Sequence, residues 1–385
     1  MRRGDNMKTL ETGAAVAATA TANLGQRGDP SGVNVDRTGA ATVLTLDRAA
    51  ALNAVTTGMR NVVAAALVKA ARDPEIYVVI LKAMGDRAFC AGGDLRELVT
   101  LLATDMPAAC RSLAQEYALN WRLECFSKPH VALIDGLVVG SGVGLSLYGT
   151  HRVAGPGYRF AMPETAIGLF PDDGVVHAFS RMPGVIGTYL ALTGRRIDRA
   201  DALALGLVTH CVPVAAFKDI ESRLALAEPV DRVLDGLHQD PGPPPMEKVR
   251  AAIDRCFSAP TVTAIMARLE AEQGPHQHWA QAVHAELTKR APLSLVVTLR
   301  HLQAATAMDL RQTLMMDYRL AVRCLQAPDF AEGVRAALID KDHAPRWSPE
   351  RLDDVTPGMV NRYFQVDTDN ELVLPTRQEM QANRG

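Results

Sequence analysis

The sequence predicts an α/β fold of alternating strands and helices followed by a helical C-terminal region, on three observations. Apolar, β-rich runs at 41–47, 77–82 and 130–134 alternate with helix-favouring stretches. Two glycine-rich loops, Ala88-Phe-Cys-Ala-Gly-Gly-Asp94 and Gly140-Ser-Gly-Val-Gly144, each follow a predicted strand and precede a predicted helix. Beyond Gly236-Leu-His-Gln-Asp-Pro-Gly-Pro-Pro-Pro245, everything to about Tyr363 has helical character.

Residues 1–35 hold Arg2, Arg3 and Lys8 among many Ala and Thr, but also Asp5, Glu11 and Asp29, and they lack a continuous apolar stretch. That is not the form of a secretory signal; a disordered leader or weak targeting segment is expected. The compartment then follows the host: cytoplasm in a bacterium, mitochondrial matrix in a eukaryote. The run from Ala41 is a strand, and after Ala51-Leu-Asn-Ala54 an Ala-rich helix extends to Ala71, broken by Asp73-Pro74. The strand from Tyr77 is apolar throughout, as suits burial on both faces. A single helix is expected over 96–128, stopped by Pro129, before the strand from His130. The core therefore spans 36–235, the Pro/Gly run 236–245 is a linker, 246–364 is the helical region, and the polar tail 365–385 is expected to fray.

Bulk properties exclude several functions. With 48% hydrophobic and 22% charged residues the 385-residue chain is globular, and a net charge of -2 supplies no basic field for nucleic acid. Six scattered cysteines form no C-x-x-C pair and no cluster with histidine at metal-ligand spacing, so they are expected to be reduced thiols with no metal. The most apolar stretch, Val131 to Tyr148, is interrupted by Asp135 and several glycines and falls short of the roughly 18 apolar residues a membrane span needs.

The chemistry concentrates in the glycine loops and the segment after them. Small residues let the backbone approach a ligand, and N–H groups at a helix start carry partial positive charge, so the paired loops suit a developing oxyanion. Gly140-Ser-Gly-Val-Gly144 fails the dinucleotide fingerprint at Leu145, lacks the Gly-Lys-Ser/Thr of a phosphate loop, and places Val139 and Val143 where a nucleophile elbow needs glycine. A tight turn with no ligand is an equal reading of this loop alone. In Phe160-Ala-Met-Pro-Glu164-Thr-Ala-Ile-Gly-Leu-Phe-Pro-Asp172-Asp173-Gly174 two carboxylates, Glu164 and Asp172, sit in an apolar, turn-rich setting. Partial desolvation there would raise their pKa values and suit them to act as acid, base or nucleophile; the competing reading is that Glu164 only complements a helix dipole. Of the histidines, His177 alone lies near this segment.

Together, Ala51-Leu-Asn-Ala54, Ala88-Phe-Cys-Ala-Gly-Gly-Asp94, Lys128-Pro-His-Val-Ala-Leu-Ile-Asp-Gly136 and the Phe160–Asp172 string resemble the crotonase superfamily in order and spacing. Within it the string Met162-Pro-Glu-Thr-Ala-Ile-Gly-Leu-Phe-Pro-Asp172 is similar, almost letter for letter, to the 3-hydroxyisobutyryl-CoA hydrolase family. The likeness runs on through Ser294-Leu, Met316-Asp-Tyr-Arg319, Glu332-Gly-Val-Arg-Ala-Ala-Leu-Ile-Asp-Lys-Asp342 and Pro345-Arg-Trp347 and covers about 36–364.

The resemblance implies a spiral of ββα repeats with a helical C-terminal region, and an acyl-CoA thioester hydrolase of valine breakdown. It needs no cofactor, since coenzyme A is part of the substrate. By motif match, the backbone N–H groups of Gly93 and Ser141 would form the oxyanion hole. Glu164 would attack, or direct water at, the thioester carbonyl, while Asp172 and Glu116 would contact the acyl end. A homo-oligomer is compatible with the resemblance; nucleic acid and membrane partners are not implied.

The superfamily's hydratases use two glutamates, and the first of these matches Gly144. Two departures stand out: Ser141 replaces a usual glycine, and Asp173-Gly-Val-Val follows Asp172 where Val-Gly-Gly is usual. Two other functions stay open at this point: a hydratase or isomerase working with one carboxylate, and a non-catalytic scaffold such as a mitochondrial ribosome subunit.

Overall fold

The computed structural model describes residues 31–367 and 370–382. The expected leader lies mostly outside the described residues, and its boundary moves, because β1 (Val33–Thr38) begins inside it. Only Val33 of that strand is fully buried, so no apolar alternation marks it. Its place comes from antiparallel pairing with β2 (Ala41–Leu46), Val33 opposite Leu46 and Thr38 opposite Ala41.

Two sheets share the remaining strands. The larger has the order β1-β2-β3-β5-β7-β9, where β3 is Val78–Ala83, β5 His130–Ile134, β7 His151–Ala154 and β9 His210–Cys211. The smaller holds β4 (Ala88–Cys90), β6 (Leu137–Val139) and β8 (Arg159–Ala161). From β2 onward every pairing is parallel. Successive strands therefore step from the large sheet to the small one and return through a helix, which is the expected spiral of ββα repeats. The strands of the small sheet are three residues each, too short for a periodicity signal.

The helix α1 (Thr57–Arg72) starts where the Thr56 hydroxyl accepts from the Met59 N–H at 3.2 Å, and it lays Met59, Val63, Leu67 and Ala70 on the core. The single helix expected over 96–128 is two, α2 (Leu95–Thr104) and α3 (Met106–Glu124). Asp105 ends the first and caps the second, accepting from the Ala108 N–H at 3.0 Å, with Pro107 in the first turn. Asp-x-Pro is a helix-start signal that the surrounding helix formers mask. Next come α4 (Ser141–Leu147), α5 (Val175–Phe179), α6 (Ile186–Thr193), α7 (Arg199–Ala204), α8 (Phe217–Ala225) and α9 (Val230–Asp235). The last two cover the outer face of the large sheet, Ile220, Leu224 and Val233 packing with Val43, Ile80 and Leu133.

No helix or strand lies between Asp235 and the 3-10 turn at Pro245. The helices that follow are α10 (Arg250–Phe257), α11 (Val262–Ala271), α12 (Gln277–Leu287), α13 (Pro292–Ala305), α14 (Leu310–Gln326), α15 (Pro328–Val334), α16 (Pro357–Phe364) and α17 (Arg377–Ala382). They do not build a core of their own. Most apolar residues from Ile253 to Ala305 continue the cluster that fills the space between the sheets and α1, while Leu293, Val297 and those from Leu310 to Met380 pack on α3 and Phe170.

Two expectations are corrected here. Residues 340–351 are irregular rather than helical, as their mix of Asp, Lys and the prolines Pro345 and Pro349 dictates. The polar tail does not fray over its described part: Leu374 is 2% exposed, the Trp121 indole donates to the Pro375 carbonyl at 2.7 Å, and Arg377 pairs with Glu124. A few buried contacts on α3 outweigh the polar average of the segment.

Candidate active site

Gly93, Glu116, Ser141, Glu164 and Asp172 line one cavity of about 260 Å³, although they come from five different segments. Gly93 lies in the loop from β4 to α2. That loop is fastened by hydrogen bonds from the Val55 N–H to the Gly92 carbonyl (2.8 Å) and from the Asp94 N–H to the Val55 carbonyl (2.9 Å). Asp94 caps α2 through the N–H groups of Arg96 and Glu97 and pairs with Arg48 at 3.1 Å. On the other loop Gly140 adopts φ 47° and ψ −124°, a conformation that needs glycine, and so delivers Ser141 as the first residue of α4. The strain thus falls on Gly140, and Ser141 is accommodated without it. Among the described residues no protein acceptor takes the N–H of Gly93 or Ser141.

Glu164 opens the 3-10 turn that follows Pro163, and one face of that turn is backed by α15. The approach is so close that a Cβ on Gly333 would lie 2.5 Å from the Ile167 backbone. Glu164 is 7% exposed, and its Oε2 has no hydrogen-bond partner. Burial first, then the nearby Asp172, pushes its carboxyl well above the usual carboxylate range.

Asp172 accepts from the Tyr117 hydroxyl at 2.7 Å; burial and then Glu116 raise its pKa to about 8 against that bond. The Asp172 proton is therefore held more tightly in the folded chain than in the unfolded one. The stability linked to this group is lost as pH rises from its ordinary value toward 8. The stability of Asp172→Asn relative to wild type should increase between about pH 5 and about pH 8, read from urea midpoints. A constant difference across that range would contradict the assignment.

Glu116 has both oxygens occupied. The Ser141 hydroxyl donates to one, and Arg60 Nη1 reaches the other at 3.3 Å. Arg60 is itself 6% exposed and also donates to Ser112 at 2.5 Å and Thr57 at 3.2 Å. The sequence reading missed Arg60, yet the signal was there: a cation between Met59 and Val63 on the apolar face of α1 is costly unless it is paired.

Asp173 was singled out only as a departure, but it too lines the cavity, 1% exposed and at φ 55°. It accepts from Asn120 Nδ2 at 2.6 Å, and Tyr148 donates to its carbonyl. A Cβ on Gly144 would lie 2.9 Å from Asp173 Oδ1 and 2.8 Å from Asn120 Oδ1, so these side chains fill the space in front of that glycine. His177 is on α5 and does not line the cavity. All six cysteines are free thiols, and no cluster of three or more potential metal ligands occurs among the described residues.

A two-sheet spiral of ββα repeats enclosing a buried carboxylate between two glycine loops defines the class, and sequence comparison agrees. A family model described as enoyl-CoA hydratase/isomerase matches residues 41–364, and the chain belongs to that family, the crotonase superfamily. Its curated relatives include the mitochondrial 3-hydroxyisobutyryl-CoA hydrolase of Xenopus tropicalis (40% identical, 88% of this chain and 90% of the relative) and 3-hydroxyisobutyryl-CoA hydrolase 1 of Arabidopsis thaliana (37%, 91% and 96%). The human mitochondrial enzyme of the same name is 38% identical over 86% of this chain and 88% of its own. Within the superfamily the chain belongs to this 3-hydroxyisobutyryl-CoA hydrolase family.

Among solved structures, a carnitinyl-CoA dehydratase from Mycobacterium thermoresistibile has a TM-score of 0.84 at 35% identity, covering 89% of this chain and 98% of that one. An enoyl-CoA hydratase from Rhodobacter sphaeroides has a TM-score of 0.82 at 36% identity, covering 89% and 100%. No helix among the described residues is long and apolar enough to cross a membrane.

Proposed function

We propose that the chain hydrolyses a short 3-hydroxyacyl-CoA thioester, foremost 3-hydroxyisobutyryl-CoA, to the hydroxy acid and free coenzyme A, a step of valine breakdown. The observation that carries this reading is Glu164 Oε2, a buried carboxylate oxygen without a partner in a cavity walled by both glycine loops. The names of the relatives support it. The setting would be the bacterial cytoplasm or the mitochondrial matrix. No cofactor is required, because the leaving group arrives with the substrate.

The thioester oxygen sits between the N–H groups of Gly93 and Ser141, where two donors supply roughly 3 kcal/mol each to the tetrahedral state. The Glu164 carboxylate attacks the carbonyl carbon, coenzyme A leaves as a thiolate, and water cleaves the resulting mixed anhydride. Desolvation makes Glu164 a stronger nucleophile than an exposed carboxylate. Asp172, whose carboxyl burial shifts toward its protonated form, hydrogen-bonds the 3-hydroxyl. Glu116, with both oxygens engaged, acts as a positioning residue that ties Arg60 to the start of α4 rather than as a direct contact to the acyl group.

A single-carboxylate hydratase is the second reading, prompted by the names of the two solved structures. Gly144 offers no acid for it.

The test is release of free thiol from 3-hydroxyisobutyryl-CoA, 3-hydroxypropionyl-CoA and crotonyl-CoA. Hydrolysis of the first two supports the proposal. Hydration of crotonyl-CoA without thiol release would transfer the chain to the second reading, and no turnover at all would favour a scaffold. Because the nucleophile must be ionised, kcat/KM should rise with pH through a midpoint above the ordinary glutamate value of 4.5. A rate independent of pH above 4.5 would count against Glu164 as the attacking group.

A further inference from the structure

We infer that the acyl end of this cavity accepts a positively charged group in place of the 3-hydroxyl, making protonated 3-aminoacyl-CoA thioesters substrates, with the ammonium held between Asp172 and Asp173. The inference rests on the thioesterase reading and extends its substrate class.

The charges around the cavity are unevenly matched. Arg60 answers Glu116 at 3.3 Å, and His301 stands 2.6 Å from Asp317. Asp172 and Asp173 receive only neutral donors, the Tyr117 hydroxyl at 2.7 Å and the Asn120 amide at 2.6 Å. Among the described residues no cationic side chain lies within ion-pairing distance of either. Two adjacent carboxyls lining one cavity, Asp173 buried and Asp172 half-buried, repel each other when ionised; burial and this mutual proximity push the Asp173 carboxyl well up.

A second observation points to a ligand in the same cavity. Glu164, more than nine-tenths buried, lines the same cavity with Oε2 unpartnered, so the carboxyl pair faces the acyl group of whatever thioester Glu164 attacks. A neutral hydroxyl brings a single donor, enough for one ionised carboxylate. An ammonium brings three donors and a charge, and so satisfies both.

The local structure holds Asp173 in this position at some cost. Its φ of 55° is left-handed, its carbonyl is held by Tyr148, and the next N–H, of Gly174, donates to Asp317 at 2.6 Å. Gly144 leaves the room that the Asp173 carboxyl and Asn120 occupy. The reaction is unchanged in its balance: the C–S bond breaks, water gives its hydroxyl to the acyl carbon and its proton to the thiolate, and the ammonium keeps its proton throughout.

The experiment compares free-thiol release from 3-aminopropionyl-CoA and 3-hydroxypropionyl-CoA, near isosteres that differ in charge, with the wild type and with Asp173→Asn. Asparagine tolerates the left-handed backbone and keeps the shape. The wild type should turn over the amino thioester with kcat/KM within about tenfold of the hydroxy one, and Asp173→Asn should cut that ratio by about 30-fold, the scale of losing one member of a buried charge pair. Cleavage of the hydroxy thioester with none of the amino one would overturn this inference and leave the thioesterase reading standing. A ratio unmoved by Asp173→Asn would overturn it as well, and failure to cleave either thioester would sink both readings. The wild-type comparison decides even if the variant does not fold.

Discussion

Glu164→Gln is expected to lower kcat/KM for thioester cleavage by on the order of 10⁴-fold, with the protein as stable as wild type or more so. The amide matches the carboxylate in size but cannot attack a carbonyl, so only the contribution of the two oxyanion donors and of binding survives. The stability half of the result has a separate cause. Glu164 is buried with one oxygen unpartnered, and the folded chain disfavours its ionised form. A neutral amide removes that penalty at neutral pH. A variant inactive because it is unfolded would fail the thermal-melt comparison, and a stable variant with more than a few per cent of wild-type activity would remove Glu164 from the mechanism.

Asp317→Ala is expected to destabilise the fold by about 3–5 kcal/mol and to disable the site in the molecules that remain folded. Asp317 and His301 are both 0% exposed, their side chains 2.6 Å apart, and the other Asp317 oxygen accepts from the Gly174 N–H at 2.6 Å. Removing the carboxyl leaves a fully buried histidine and a buried N–H without their partner. That N–H belongs to the residue after Asp172 and Asp173, so the loop carrying both cavity-lining carboxyls is released with it. Urea midpoints and thiol release at low temperature measure the two effects independently. A midpoint within 1 kcal/mol of wild type would show that the His301–Asp317 pair does not anchor the loop.

Much of this architecture was legible in the sequence because its signals are local. The apolar runs of β2, β3 and β5 and the two glycine loops announce themselves within a few residues, and the Met162–Asp172 string carries the turn of Glu164 with it. What could not be read is set by contacts between distant segments. The strand β1 exists because β2 offers it an edge, and the tail stays on α3 because Leu374 and Met380 find apolar surface there. The site shows the same division. Glu164 and Asp172 stood out by their setting, whereas Arg60, Tyr117 and Asn120 gain their significance only when α1 and α3 bring them to the carboxylates. Asp173 was visible as an anomaly, but its burial and its contact with Asn120 were not. Glu116 was expected at the acyl end; the structure places it on the cavity wall, with its oxygens engaged by Ser141 and Arg60.

The way α15 backs the turn of Glu164 and α14 anchors the loop after it also sets a timetable for the chain as it is made. Gly174 and Asp317, joined by one hydrogen bond, are 143 positions apart. At about 5–20 residues per second, roughly 7 to 30 seconds separate their synthesis. Gly93, Ser141 and Glu164 are all present in the nascent chain by then, but the turn that aims Glu164 still lacks Gly333 against Ile167, and the loop beside it lacks its anchor. The cavity wall is therefore completed only at the end of translation, so that a chain cut short before α14 carries Gly93, Ser141 and Glu164 without the contacts that hold the turn and the loop in place.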